Sequence, residues 1–203
     1  MTETKQIVYV LDDDPRIRES LQALLSASGF KVMLFAEPES FLAFQRPEVP
    51  SCLILDLNLG ETTGLDLQQK LENDSTLPVI FLTGYGDIPT TVKAMRGGAR
   101  EFLSKPIVEE ELLPAIEAAL KLADEQWDHH QYIRQLRRNY ESLTLRQREV
   151  LPYIIRGLLN KQTAYELGTS EITIRIHRGQ IMRKMKADSL ADLVRMAGHL
   201  GIK

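Results

Sequence analysis

Short apolar runs alternate with amphipathic stretches through the first half of the chain. "QIVYVL" (6–11), "KVMLF" (31–35), "SCLIL" (51–55), "LPVIFLT" (77–83) and "EFLS" (101–104) are rich in β-branched residues and mostly lack polar alternation. That pattern predicts strands buried on both faces. Between them, residues 15–28, 38–46, 64–73 and 88–96 have apolar positions at helical spacing. The alternation predicts an α/β domain with a five-stranded, doubly wound parallel sheet and right-handed crossovers, and the favoured strand order is 2-1-3-4-5.

From about residue 108 the period becomes purely helical. Leu113, Ile116, Leu120, Ala123 and Trp127 recur at spacings of three and four, behind an acidic first turn of Glu109, Glu110 and Glu111. The pattern falters at His129–His130 and resumes at Ile133, Leu136, Tyr140 and Leu143, which predicts a long helix running into a linker. Pro114 is expected to kink it near its start. Beyond Leu143 a small all-α domain is expected. Thr144 and Gln147 form a capping box for its first helix, Asn160 is the expected N-cap of a short second helix, and Ser170 caps "EITIRIHRGQIMRKM". A last helix follows Ser189. The expected divisions are 1–124, a helical linker over 125–142, and 143–203.

Charge sharpens this division. Residues 1–124 hold 11 Lys and Arg against 20 Asp and Glu, whereas residues 125–203 hold 14 against 8. An acidic domain joined to a basic one suggests that the second meets a polyanion. The 43% hydrophobic content is enough for real cores. The single cysteine, Cys52, lies in an apolar run and is expected to be buried; one cysteine excludes a disulfide framework and a Cys-rich zinc site. The first twenty residues have no long apolar run, so neither a signal peptide nor a membrane span is expected, and the protein reads as soluble and cytoplasmic.

Chemistry concentrates at the strand ends. "VYVLDDDPR" runs an apolar strand into three aspartates. In a doubly wound sheet, ligands bind beyond the C-terminal strand ends where the strand order reverses. Asp12 and Asp13 follow the first strand and Asp56 ends the third, so three carboxylates converge there. At an effective dielectric near 20, carboxylates about 5 Å apart repel by roughly 3 kcal/mol per pair. A hard divalent cation with oxygen ligands removes that penalty, and Mg²⁺ commonly uses one or two carboxylates, waters and a phosphate. Asp14 has a separate job: it precedes Pro15 and is placed to cap the first helix. Thr83 ends the fourth strand just before "GYG" (84–86), and Lys105 ends the fifth, before Pro106. A hydroxyl and an ammonium thus join the acids, as a phosphorylated carboxylate requires.

These residues match, in order and spacing, the receiver domain of two-component response regulators, which residues 5–122 resemble. The resemblance implies a flavodoxin-like fold and phosphoryl transfer from a sensor histidine kinase to Asp56. It implies Mg²⁺ on Asp13, Asp56 and the backbone carbonyl of Asn58, with Asp12 acting mainly through water, and Phe102 as a switch aromatic. Gly60 departs from the family's usual proline and is expected to loosen the loop after the third strand. Residues 143–197 resemble the LuxR/NarL-type helix-turn-helix of the NarL/FixJ regulators, on "LTLRQREVL", "GLLNKQTAYELGTSEITIRIH" and "MRKMKADSLADLV". The long linker and "TGYGDIP" suggest the FixJ-like branch. The implied partners are promoter DNA, RNA polymerase and, on phosphorylation, a second copy of the chain.

The residues of the basic domain support a DNA reading independently. At about 100° per residue, Ile174, Ile181 and Met185 share one face of their helix, and Arg175, Ile176, Gly179, Gln180 and Arg183 share the opposite one. Such a face fits a major groove: Arg175 for guanine or phosphate, Ile176 for a thymine methyl. Lys161, at the start of the preceding helix, is placed for a phosphate. Arg178 falls on the inward side, where an ion pair with Glu149 is expected.

Two other classes compete with a phosphorylation-gated regulator. One is a phosphatase working through an aspartyl phosphate; that chemistry wants a second acid two residues after the nucleophile, where Asn58 stands. The other is a phosphorylation-independent DNA-binding protein with an interaction-only receiver, which the intact acid cluster and Lys105 argue against. With no "GxxxxGK[ST]" in the chain, an ATPase is disfavoured, and the expectation is a regulator that is not an enzyme.

Overall fold

The computed structural model describes residues 6–60, 62–71, 77–84 and 88–203, with the backbone alone at 88–90. The chain divides into two compact units, Met1–Asp128 and His129–Lys203.

In the first unit the strands are β1 (Ile7–Leu11), β2 (Lys31–Phe35), β3 (Ser51–Asp56), β4 (Asn58–Leu59), β5 (Thr62–Thr63), β6 (Val79–Thr83) and β7 (Glu101–Ser104). The main sheet is parallel, in the order β2-β1-β3-β6-β7. Its helices are α1 (Pro15–Ala27), α2 (Pro38–Ala43), α3 (Gly64–Lys70), α4 (Ile88–Arg96) and the start of α5 (Glu109–Glu141), the long helix that joins the two units. Strand residues alternate between two cores. Ile7, Tyr9, Leu11, Leu53, Leu55 and Phe81 pack with Phe41, Leu67 and Ala94 of α2, α3 and α4. Val8, Val10, Cys52, Ile54 and Ile80 pack with Leu21 and Leu25 of α1 and with Leu112, Ile116 and Leu120 of α5.

Burial on both faces holds for β1, β3 and β6. It fails for β2 and β7: these are the sheet edges, only partly buried, and apolar content alone does not separate an edge from a centre. The segment after β3 also differs from expectation. It forms the antiparallel ribbon β4–β5, pairing Asn58 with Thr63 and Leu59 with Thr62. Gly60 sits at its tip with φ +67°, a conformation that proline's ring forbids. The glycine thus permits a defined hairpin. The helix expected over 64–73 ends at Lys70, and its last two residues lie outside the described residues.

In the second unit, α6 (Leu145–Ile155), α7 (Asn160–Glu166), α8 (Glu171–Met185) and α9 (Leu190–His199) enclose a core of Val150, Leu151, Ile154, Ile174, Ile181, Met185 and Leu193. Leu136 of α5 belongs to that core, with Ile133 and Tyr140 packed against it. Thr144 and Gln147 form both halves of the capping box, and Ser170 and Ser189 cap α8 and α9. The N-cap of α7 is Leu159, not Asn160. The leucine side chain has no oxygen to offer, and Gln162 Oε1 accepts the Leu159 N–H at 2.8 Å. Among the described residues no helix is long and apolar enough to cross a membrane.

Candidate functional site

The parallel sheet brings Asp12, just past β1, beside Asp56 at the end of β3. Asp12 is 1% exposed and fully engaged. Its Oδ1 accepts the Asp14 N–H at 2.9 Å, and its Oδ2 accepts Lys105 Nζ at 2.7 Å. The same Nζ lies 3.0 Å from Asp56 Oδ2, so one ammonium bridges the two buried acids. Lys105 precedes Pro106 across a cis peptide bond. Asp13 is exposed at the mouth, and one carboxylate oxygen from each of Asp12, Asp13 and Asp56 lies within 4.8 Å of the others.

That donor set suits a hard cation. Lys105 pairs with two of the three carboxylates, Asp13 adds a third, and all-oxygen ligands at this spacing match divalent-ion chemistry. The electrostatics agree. Burial pushes the Asp56 carboxyl above its ordinary range and the Asp12 charge adds to this, against the opposing pull of Lys105. Burial opposes the Lys105 ammonium, but its hydrogen bonds to Asp12 and Asp56 prevail and hold its pKa above the ordinary value. Asp14 stands apart as expected: its Oδ1 accepts the Arg16 N–H at the start of α1, and its hydrogen bonds with Arg16 bring its pKa down to about 2.

Thr83 is 1% exposed at the end of β6, and its carbonyl accepts the Lys105 N–H at 2.6 Å. Phe102 is half-buried on β7, its ring centroid 6.2 Å from Phe81. Asn58 lies on β4, and its backbone N–H donates to the Asp56 carboxylate. Of the loop "GYG", Tyr85 and Gly86 lie outside the described residues.

Two contributors escaped sequence reading. Arg18 donates to the Asp12 carbonyl at 2.6 Å, a contact six residues apart that no motif marks. Gly64 starts α3 directly under the acid: a Cβ there would stand 2.4 Å from the Asp56 carbonyl oxygen and 2.9 Å from Phe81. A glycine opening a predicted helix beside the acid was the available signal.

In the second unit, Ile174, Ile181 and Met185 are buried on α8, while Arg175, Ile176, Gly179 and Arg183 are exposed. Gln180 is half-buried, and its Oε1 accepts Gln147 Nε2 at 2.8 Å. Lys161 is exposed in the first turn of α7. The pair expected between Arg178 and Glu149 does not form: Glu149 pairs with Arg146 at 2.7 Å, three residues away on its own helix. A near neighbour on one helix face was the simpler partner.

Known proteins share this arrangement. Residues 8–117 match the response regulator receiver domain, and residues 141–197 match the bacterial regulatory proteins of the luxR family. The response regulator protein TodT of Pseudomonas putida is 46% identical over 201 residues, covering 98% of this chain and 88% of TodT. The solved structure of the response regulator StyR has a TM-score of 0.84 and 45% identity, covering 96% of this chain and 98% of StyR. Full-length FixJ from B. japonicum has a TM-score of 0.56 and 35% identity, covering 98% of both chains. With both halves matched in order along one chain, the protein belongs to the NarL/FixJ family of two-component response regulators, DNA-binding regulators of transcription that are phosphorylated on an aspartate of the receiver domain.

Proposed function

We propose that Asp56 is the phosphoacceptor, that Mg²⁺ is the resident cation, and that the phosphorylated protein acts in the cytoplasm on promoter DNA. A carboxylate oxygen of Asp56 attacks the phosphorus of a phosphohistidine on a sensor kinase. The new O–P bond forms as the P–N bond breaks, and the departing imidazole takes up a proton. Asp13, Asp56 and the Asn58 carbonyl would hold Mg²⁺, with Asp12 acting through water. When bound, the ion supplies positive charge to the phosphoryl oxygens. Lys105 loses its Asp56 carboxylate partner when the acyl phosphate forms and is within reach of the phosphoryl oxygens that replace it. The Thr83 hydroxyl, on the neighbouring strand end, is the donor that senses them.

The observation carrying this reading is the Lys105 ammonium bridging Asp12 at 2.7 Å and Asp56 at 3.0 Å inside the three-carboxylate cluster. Such a cluster is costly unless its charge is used. The chain serves as a regulator that carries one phosphoryl group and does not turn substrate over. On DNA, Arg175, Ile176, Gln180 and Arg183 face the bases or their flanking phosphates, and Lys161 anchors a phosphate. Promoter binding then brings RNA polymerase as the downstream partner.

Incubation with acetyl phosphate and Mg²⁺ should give an acid-stable, base-labile adduct, and Asp56→Asn should abolish it. An adduct of unchanged yield on that variant would place the phosphate elsewhere.

A further inference from the structure

The second unit contains a polar chain that the capping role of Gln147 does not exhaust. Gln147 is 3% exposed. Its Oε1 accepts two hydrogen bonds, from the Thr144 N–H at 3.0 Å and from Lys184 Nζ at 3.0 Å. Lys184 is itself held by the Ser142 carbonyl at 2.7 Å. A backbone N–H and an ammonium can only donate, so the oxygen of Gln147 must face them, and the usual ambiguity of an amide's orientation disappears. Its Nε2 then points the other way, toward Gln180 at 2.8 Å. An amide nitrogen is also a donor only, so Gln180 must meet it with its oxygen. The two N–H bonds of Gln180 remain: they donate to no atom among the described residues, and its nitrogen is not among the buried, unpartnered atoms. The groove between these side chains is lined by Thr144, Gln147, Gln180, Arg183 and Lys184.

We propose that Gln147 is a positioning residue for DNA recognition: it fixes Gln180 so that Gln180 offers amide donors, and the protein reads an acceptor base edge there. Two N–H donors match guanine best, with O6 and N7 side by side in the major groove, and the thymine O4 next. This inference rests on the reading of α8 as the helix that enters the groove. It adds a direction to that reading, because a freely rotating glutamine would accept adenine's paired donor and acceptor equally well.

Gln147→Glu tests the relay. A carboxylate keeps the cap on Thr144 and the contact with Lys184, since glutamate suits that capping position. It also turns an acceptor toward Gln180, which must then swing its nitrogen inward and leave its oxygen outward. Full-length protein treated with acetyl phosphate and Mg²⁺ would be used to select from a pool of randomised DNA duplexes, and the bound fraction sequenced. The wild-type protein should prefer guanine or thymine at one position of each half-site. Gln180→Ala, which removes the amide from its half-buried position, should flatten that position by about tenfold or more. Gln147→Glu should move the preference there to cytosine or adenine while other positions keep theirs.

A flattened position in Gln180→Ala with an unchanged profile in Gln147→Glu overturns the relay. An unchanged profile in Gln180→Ala overturns Gln180 as a reader. Arg175→Ala is run alongside: if it too leaves every position unchanged, the placement of α8 in the groove has failed and the relay falls with it.

Discussion

At the scale of single residues, type and neighbours in sequence predicted roles well where the chemistry is local. The three consecutive aspartates divide: Asp12 and Asp13 cluster with Asp56, and Asp14 caps α1, while the contact of Lys105 with Asp12 was not read from the sequence. Asp14 was legible because the proline after it marks a helix start. Arg18 was not, because its contact is with a backbone carbonyl that carries no residue signature. Cys52 shows how burial controls reactivity. It is 0% exposed on β3, and burial pushes its thiol up to about 12. The thiolate is the reactive form, so the native protein should resist iodoacetamide at pH 8 and react stoichiometrically once unfolded in guanidinium. Rapid modification of the native chain, read by intact mass, would contradict the burial.

At the scale of elements, existence was legible and placement less so. All five main strands were legible as hydrophobic runs, and the sheet has the favoured order. The β4–β5 ribbon was not, because two-residue strands have no period to read. The α7 cap is Leu159, one residue before the Asn160 that cap preference favours. Gly64 is a constraint between elements. Adding a methyl forces either the Asp56 backbone or Phe81 to move, and such overpacking typically costs about 1–3 kcal/mol. Gly64→Ala should therefore lower the denaturant midpoint and slow adduct formation at Asp56. Gly198→Ala on α9 is the contrast: a Cβ there meets open space, and helix propensity favours alanine by roughly 1 kcal/mol. Equal destabilisation of the two variants would refute the close approach at Gly64.

The recognition elements make a second prediction at this scale. Arg175 is exposed on the face of α8 opposite its buried residues, and Lys161 lies exposed in the first turn of α7. Arg175→Ala should cost about 1–3 kcal/mol and relax base preference. Lys161→Ala should weaken specific and random duplexes alike and flatten the slope of log affinity against log salt by about one. Fluorescence titrations across a salt series separate the two. Equal losses on specific and random DNA for both variants would dissolve the division between reading and anchoring.

At the scale of the whole molecule, the question is how a phosphate on one unit changes DNA affinity in the other. The proposed route runs through Thr83 and Phe102 to the face formed by α4 and β7. Phe102 is half-buried, its ring centroid 6.2 Å from that of Phe81. Val92 and Met95 on α4 are 43% and 44% exposed, apolar positions without cover in the single chain. Pairing two copies through that face would tether two DNA-binding units, and tethering raises apparent affinity by orders of magnitude with no new contact per unit. Sequence could propose this face from an apolar period on one helix, but it could not say that the residues stay exposed, because that depends on what packs above them. Phosphorylation can shift the balance only by as much as the paired and unpaired states differ in their hold on the phosphate. Val92→Asp with Met95→Lys should still be phosphorylated at Asp56, since neither residue lies in the acid cluster, while abolishing the phosphorylation-dependent mass increase in sedimentation. It should also remove most of the gain in DNA affinity. The rival route is release of the second unit from restraint within one chain. Phosphorylated wild-type protein that stays monomeric in sedimentation yet binds its operator more tightly would establish release and exclude pairing.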